Sequence, residues 1–277
     1  MEMDLLIRQK TSSGFLPILD DPSLSRFIRF GLLNLPRGGT YKDETRNDEA
    51  CLVLLGGRCS IAADEHRWND MERSSVFDAR AYSVYVPRQS SFEVSTQDGC
   101  SLAICRAPAK TKRAPAIIPP EEVKVRSVGK WNWRREVRDI MGNDSAIPDT
   151  LIVGETINPP GNWSSVPPHK HDTDSLPQES KLEEVYFYKL KPSQGFALQR
   201  LYTHERDIDQ AYVIRDGDTL VIPRGYHPVA AAPGYSLYYL WVLAGEKRVM
   251  KPNDDPDHSW LKNCEPIISE LQAPAPR

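Results

Sequence analysis

Apolar and polar positions alternate along this chain in short bursts rather than in helical stripes. Runs such as Ala50–Leu55 (ACLVLL), Tyr82–Val86 (YSVYV), Leu151–Val153, Val185–Leu190 (VYFYKL), Thr219–Ile222 (TLVI) and Ser236–Val242 (SLYYLWV) are rich in β-branched and aromatic residues. Turn signals separate them, and 23 prolines leave little room for long helices. Closely spaced strands with few helices between them predict an all-β chain of the sandwich or barrel class. The stretch Arg106–Pro120 (RAPAKTKRAPAIIPP) reads as a linker. It divides the chain into units 1–115 and 116–277. Beyond residue 251 the pattern predicts a loop, a short helix around Trp260–Leu271, and disorder over Ala273–Arg277.

The two units share a frame. Glu49 opens the run EACLV and Pro87-Arg88 follows; Glu184 opens EVYFY and Pro223-Arg224 follows. The first interval is 38 positions and the second 39, so one β unit is predicted to occur twice, offset by 135 to 136 residues. In that frame Ser91 falls where His227 falls in the second copy, and no histidine precedes His66. The first copy therefore lacks a histidine cluster and is expected to be structural.

Length and composition narrow the function. At 277 residues, with ~150 per domain as the usual prior, two domains are expected. A net charge of −3 and a pI near 6.1 argue against nucleic acid as the main partner, because that binding needs a basic surface. No apolar run approaches the ~20 residues that cross a bilayer, and Met1–Leu6 is acidic with no signal-type apolar core behind it. The five cysteines are scattered, odd in number and without a Cys-x-x-Cys pair, which fits a reduced cytoplasmic protein.

Candidate chemistry gathers on the second copy. In PPHKH, Pro167 to His171, residues i and i+2 of an extended segment point the same way, so His169 and His171 can serve one point. Glu184 shares a strand face with Tyr186 and Tyr188, and His227 follows the tight turn Pro223-Arg224-Gly225. Three imidazoles and a carboxylate suit Zn, Fe, Mn, Ni or Cu with positions left for substrate. Glu183 competes with Glu184 as the oxygen ligand. His66, His204 and His258 sit in charged surroundings and read as surface residues. Arg200 and Arg224 are candidates for holding a carboxylate. Tyr186, Tyr188, Tyr238 and Trp241 read as a set more as core than as a substrate platform, and Cys264 reads as structural.

Gly217-x5-Pro223-x-Gly225-x-His227 resembles the second cupin motif, and His169-x-His171 with a later glutamate resembles the first, lengthened by the insertion Asp172–Leu182. More specifically, Gly161–Asp172 (GNWSSVPPHKHD) and Glu183–Tyr188 (EEVYFY) are similar to the 5-deoxy-glucuronate isomerase family of myo-inositol breakdown, which is related to 5-keto-4-deoxyuronate isomerase. The resemblance implies a bicupin: a ligand-free N-terminal cupin-like domain and a C-terminal cupin domain holding one divalent ion on His169, His171, Glu184 and His227. It further implies an aldose–ketose isomerisation of a small sugar acid. Glu155 and Tyr186 are the candidates for proton transfer, and a proton-transfer route and a hydride shift both stay open. A bicupin dioxygenase and a non-enzymatic bicupin are the competing readings. A large β sandwich with a spare half also suits a homo-oligomer.

Overall fold

The computed structural model describes residues 4–8 and 12–272, so the expected disorder of Ala273–Arg277 lies outside the described residues. Among the described residues the chain is almost all β, and every strand pairing is antiparallel. The C-terminal helix runs from Leu261 to Gln272, within one residue of its predicted place.

The N-terminal half is built around one 16-residue strand, Asp48–Ala63. Its first part lies between Ser83–Val86 and Cys100–Pro108; its second part pairs with His66–Arg73 and Ser91–Ser95. The ladder slips between Leu54 and Gly56 and again between Cys59 and Ile61, and such irregularities bend a strand from one sheet face towards another. Gly57 sits at the bend with φ +89°, where a Cβ would lie 2.3 Å from the Gly99 carbonyl oxygen.

The C-terminal half faces a seven-stranded sheet with a four-stranded one. The larger sheet runs in the order Leu6–Ile7, Thr219–Ile222, Glu183–Lys191, Ser236–Ala244, Ile152–Asn158, Arg135–Met141, Lys124–Val128. The smaller holds Trp163–Ser164, Val229–Ala231, Ala197–Tyr202 and Asp209–Ile214.

The repeat read from the sequence is visible as strand register. Ala50 is opposite Val86 and Leu52 opposite Val84; their counterparts 135 residues later, Val185 and Phe187, are opposite Val221 and Thr219. Two short strands cross the expected boundary between 115 and 116. Ala116–Ile118 extends the N-terminal sheet beside Ser83–Val86, and Leu6–Ile7 extends the C-terminal sheet beside Thr219–Ile222. The expected linker is correspondingly shorter. Its first residues finish the strand Cys100–Pro108, and its apolar Ala-Ile-Ile segment completes a sheet edge.

The halves share one apolar core in which Phe30 and Phe187 meet at 5.7 Å. Two buried polar contacts reinforce it. The Glu49 carboxylate accepts the backbone N–H groups of Asp149, Thr150 and Leu151 at 2.6 to 2.7 Å and the Tyr85 hydroxyl at 2.8 Å. Arg73 of the first half donates to both oxygens of Glu155 of the second, at 2.7 and 2.9 Å.

Candidate metal centre

The inner face of the seven-stranded sheet follows from period-2 alternation. Glu184 and Tyr186 of one strand, Tyr239, Trp241 and Leu243 of its neighbour and Thr156 of the next line one cavity of about 470 Å³. Gly154 makes room for the Trp241 ring, whose nearest atom would lie 2.1 Å from an added Cβ.

Three buried donors converge at one end of this cavity. His171, Glu184 and His227 each offer a ligand atom within 4.8 Å of the others. His171 Nε2 lies 3.0 Å and His227 Nε2 3.2 Å from the same oxygen, Glu184 Oε2. His169 stands beside this trio: its ring is edge-on to His227 at 4.9 Å between centroids, and it lines the same cavity. The Lys170 side chain between the two histidines points away, to Glu179 at 2.8 Å, as an extended segment requires.

The backbone fixes both ring orientations. His171 Nδ1 lies 2.8 Å from the Leu182 carbonyl oxygen and His227 Nδ1 2.9 Å from that of Gly225, so each Nδ1 carries the proton it donates. That leaves two Nε2 lone pairs facing a carboxylate, and among the described residues His227 Nε2 is a buried nitrogen with no hydrogen-bond donor to it. Three lone pairs meeting in a buried site repel one another unless a cation or a shared proton lies between them. The donor set and its carbonyl-anchored imidazoles therefore fit a divalent ion. Further contacts hold the pieces in place. Gln199 donates to the His227 carbonyl oxygen at 2.6 Å, and Asp172 accepts the Gly225 N–H at 2.8 Å. Gly225 itself has φ +100° and room only for hydrogen, since a Cβ would lie 2.7 Å from the Tyr202 carbonyl oxygen.

The electrostatics agree. Burial opposes ionisation of Glu184, but the His171 and His227 rings outweigh it and bring its pKa down to about 2. Burial, helped by the two neighbouring rings, keeps His169 neutral. Burial opposes charge on His171 too, yet the Glu184 carboxylate raises its pKa. The Tyr186 phenol is pushed well up, first by burial and then by Glu184, so it stays protonated; its oxygen is 3.3 Å from Ser165 Oγ.

Other predicted residues lie elsewhere. Glu183 points to the opposite face and accepts hydrogen bonds from Ser25 Oγ and the N–H groups of Arg26 and Phe27, at 2.7 to 3.2 Å. Glu155 also faces away from the cavity; with Arg73 and the Tyr238 hydroxyl at 2.8 Å it forms a closed buried cluster. Arg200 is held at the surface by two 2.8 Å bonds to Asp209, and Arg224 by Asp207, so neither guanidinium lines the cavity. His66 and His204 are exposed, and His258 lies outside the donor trio. Trp241 lines the cavity, whereas Tyr188 is core, with its hydroxyl on Gln199 at 2.9 Å. The cavity also contains a residue the sequence reading passed over, Arg135. Its strand, Arg135–Met141, is charged on both faces and gives no clean apolar alternation.

The chain matches the KduI/IolB family over residues 5–261. It belongs to that family. Within it, the 5-deoxy-glucuronate isomerase of Geobacillus kaustophilus is 45% identical over 237 residues, 85% of this chain and 86% of that one. The 5-deoxy-glucuronate isomerase of Bacillus subtilis strain 168 is 35% identical, over 85% and 88% of the two chains. Among solved structures, an IolB-like protein from Salmonella typhimurium superposes with TM-score 0.89 at 34% identity, covering 94% of this chain and all of that one. Oxalate decarboxylase from Lactobacillus farciminis superposes with TM-score 0.67 at 11% identity, over 99% and 95% of the two chains. The second likeness is one of fold alone, an all-β architecture of the cupin type.

Proposed function

We propose that this chain is a 5-deoxy-glucuronate isomerase, an enzyme that interconverts an aldose and a ketose in inositol catabolism. The observation that carries the reading is the buried donor trio His171, Glu184 and His227 at the end of a cavity, in a chain 45% identical to a protein of that name. In this reading the substrate is 5-deoxy-D-glucuronate and the product 5-dehydro-2-deoxy-D-gluconate. The reaction moves hydrogen between the first two carbons and is redox-neutral overall, so it needs no nicotinamide or flavin.

The trio, with His169 adjoining, would hold one divalent ion, Zn, Mn, Fe or Ni. Such an ion supplies Lewis acidity that polarises the aldehyde carbonyl and its neighbouring hydroxyl. The chain's own side chains do the rest. The protonated Tyr186 hydroxyl is available to donate at an oxygen of the reacting end, and Ser165 orients it. Tyr239 and Trp241 wall the cavity and reduce the access of water. Among the described residues no helix is long and apolar enough to cross a membrane. A cytoplasmic location belongs to the same reading. So does a homo-oligomer, for which the exposed row Trp163, Leu198 and Val213 on the four-stranded sheet offers an apolar face.

The test is an NMR assay with 5-deoxy-glucuronate and metal-loaded protein. Appearance of the keto acid without oxygen uptake supports the reading. Oxygen consumption without isomerised sugar overturns it in favour of an oxygenase, and the absence of both favours a non-enzymatic bicupin.

A further inference from the structure

Three cationic side chains line the cavity that ends in the donor trio: Arg126, Arg135 and Lys262. Two of them are neutralised. Arg126 makes a bidentate contact with Asp139 at 2.8 and 3.1 Å, and Lys262 pairs with Asp254. Arg135 has no carboxylate oxygen within 4.0 Å among the described residues. Its hydrogen bonds run from Nη1 alone, to the carbonyl oxygens of Trp133 at 3.2 Å and Val166 at 3.4 Å. The three N–H bonds on Nε and Nη2 have no protein acceptor among the described residues. A half-buried guanidinium with no carboxylate in contact is an unfavourable arrangement: Glu265, which lines the same cavity and accepts from Trp133 Nε1, acts on it only at longer range, and burial lowers its pKa.

The backbone aims this side chain deliberately. Arg135 opens its strand opposite Val128 and shares a face with Val137, which lines the same cavity. The connecting turn holds Gly129 at φ +77°, where a Cβ would lie 2.3 Å from the Trp133 carbonyl oxygen and 3.0 Å from Arg135 Nη1. Arg138, three residues on, projects from the opposite face and is held by Glu136 on Nε and by the carbonyl oxygens of Val76 and Ala79 on Nη1. One arginine of the strand is thus tied into structure, while the other is left with a free fork facing the cavity. The cavity has two polar poles: a donor trio suited to a cation, and a guanidinium suited to a planar anion.

We propose that Arg135 receives the carboxylate of the sugar acid and so sets which end of the substrate reaches the donor trio. This rests on the isomerase reading for the identity of the substrate, and on the cavity alone for the carboxylate. Arg135 is then a substrate-binding and specificity-determining residue, in place of Arg200 and Arg224.

The experiment compares D-glucuronate with its neutral isostere D-glucuronamide as probes, by calorimetry on metal-loaded wild type, Arg135→Met and Arg135→Lys. Metal content is measured on each, and KM and kcat are measured with 5-deoxy-glucuronate. Wild type is expected to bind the carboxylate about tenfold more tightly than the amide, the worth of a charge-assisted contact. Arg135→Met is expected to lose that preference and to raise KM about tenfold or more while keeping its metal. Arg135→Lys keeps the charge but lacks the fork, and is expected to recover part of the preference. Equal binding of the two probes by wild type overturns the proposal. So does an undiminished preference in the methionine variant or, if that variant does not fold, a wild-type-like KM and preference in Arg135→Gln. If the isomerase reading is at fault, wild type shows no turnover while the probe preference and its dependence on Arg135 persist, so the two failures are distinct.

Discussion

Replacing Glu155 with glutamine removes one charge from a contact that joins the two halves of the molecule. Both side chains of the Arg73–Glu155 pair are fully buried, and a second guanidinium, Arg138, stands 3.8 Å from Glu155 Oε2. Arg138 has Glu136 on its Nε as well, whereas Arg73 has Glu155 as its paired carboxylate. The Leu54 and Ala79 carbonyl oxygens accept from Arg73 at 2.8 Å each, but they cannot neutralise it. Breaking one side of a buried pair costs about 3–5 kcal/mol, because the remaining charge stays desolvated. For a chain of this size that corresponds to a fall in Tm of roughly 6–20 °C. Thermal denaturation of Glu155→Gln, alone and in a double-mutant cycle with Arg73→Met, measures the coupling. Assayed well below its Tm, the variant should keep kcat within about twofold, since the carboxylate faces away from the cavity. A loss of about a hundredfold in kcat with an unchanged Tm, the signature of a missing acid–base group, would refute the structural role.

Glu184→Gln should lose bound metal. Glu183→Gln should keep it but be about 1.5–3 kcal/mol less stable, as the Ser25–Phe27 segment loses its charged acceptor; metal analysis and urea unfolding of both variants check the order. Tyr186→Phe removes only the contact to Ser165, so its stability should change by no more than about 1.5 kcal/mol, whereas kcat should fall by about a hundredfold with KM little altered; an unchanged kcat would exclude the phenol from proton transfer. Glu179 supplies a pH dependence. Burial opposes its charge, but Lys170, the Asp172 and Thr173 N–H groups and Asn253 lower its pKa. A depressed folded pKa gives stability that is full above the unfolded value of about 4.3 and is lost as the pH falls through the folded pKa. Urea midpoints between pH 6 and 3 should therefore drop less steeply in Glu179→Gln than in wild type, and identical slopes would contradict the assignment.

Much of this was legible in the sequence because period-2 alternation and turn chemistry are local. The equal spacing from Glu49 to Pro87 and from Glu184 to Pro223 reappears as equal strand register, and the His-x-His segment brings its rings to one side of an extended strand. Alternation puts Glu183 and Glu184 on opposite faces but leaves open which one meets the imidazoles; in the fold Glu184 does, and Glu183 meets Ser25 to Phe27. What was not legible depended on partners distant in the chain. Glu155 and Thr156 lie on a strand buried on both faces, so the sequence could not tell which face held the cavity. Arg200 and Arg224 looked free because Asp209 and Asp207 reach them only through folding. Arg135 was hidden in a strand whose charges obscure the alternation. The short strands Leu6–Ile7 and Ala116–Ile118 take their places from tertiary pairing, which no local propensity encodes. The two repeat-equivalent glutamates show how one frame serves two ends: Glu184 faces imidazoles, while Glu49 accepts three backbone N–H groups and stabilises the junction of the halves.

In the proposed reaction turnover depends on one cation held by His171, Glu184 and His227. Stripping the protein with a chelator, then titrating Zn, Mn, Fe or Ni back while following bound metal and keto-acid formation together, tests it most directly. Activity should disappear with the ion, return in proportion to it up to about one per chain, and fail to return in His227→Ala. Full turnover by the stripped enzyme, or normal metal uptake by His227→Ala, would contradict it.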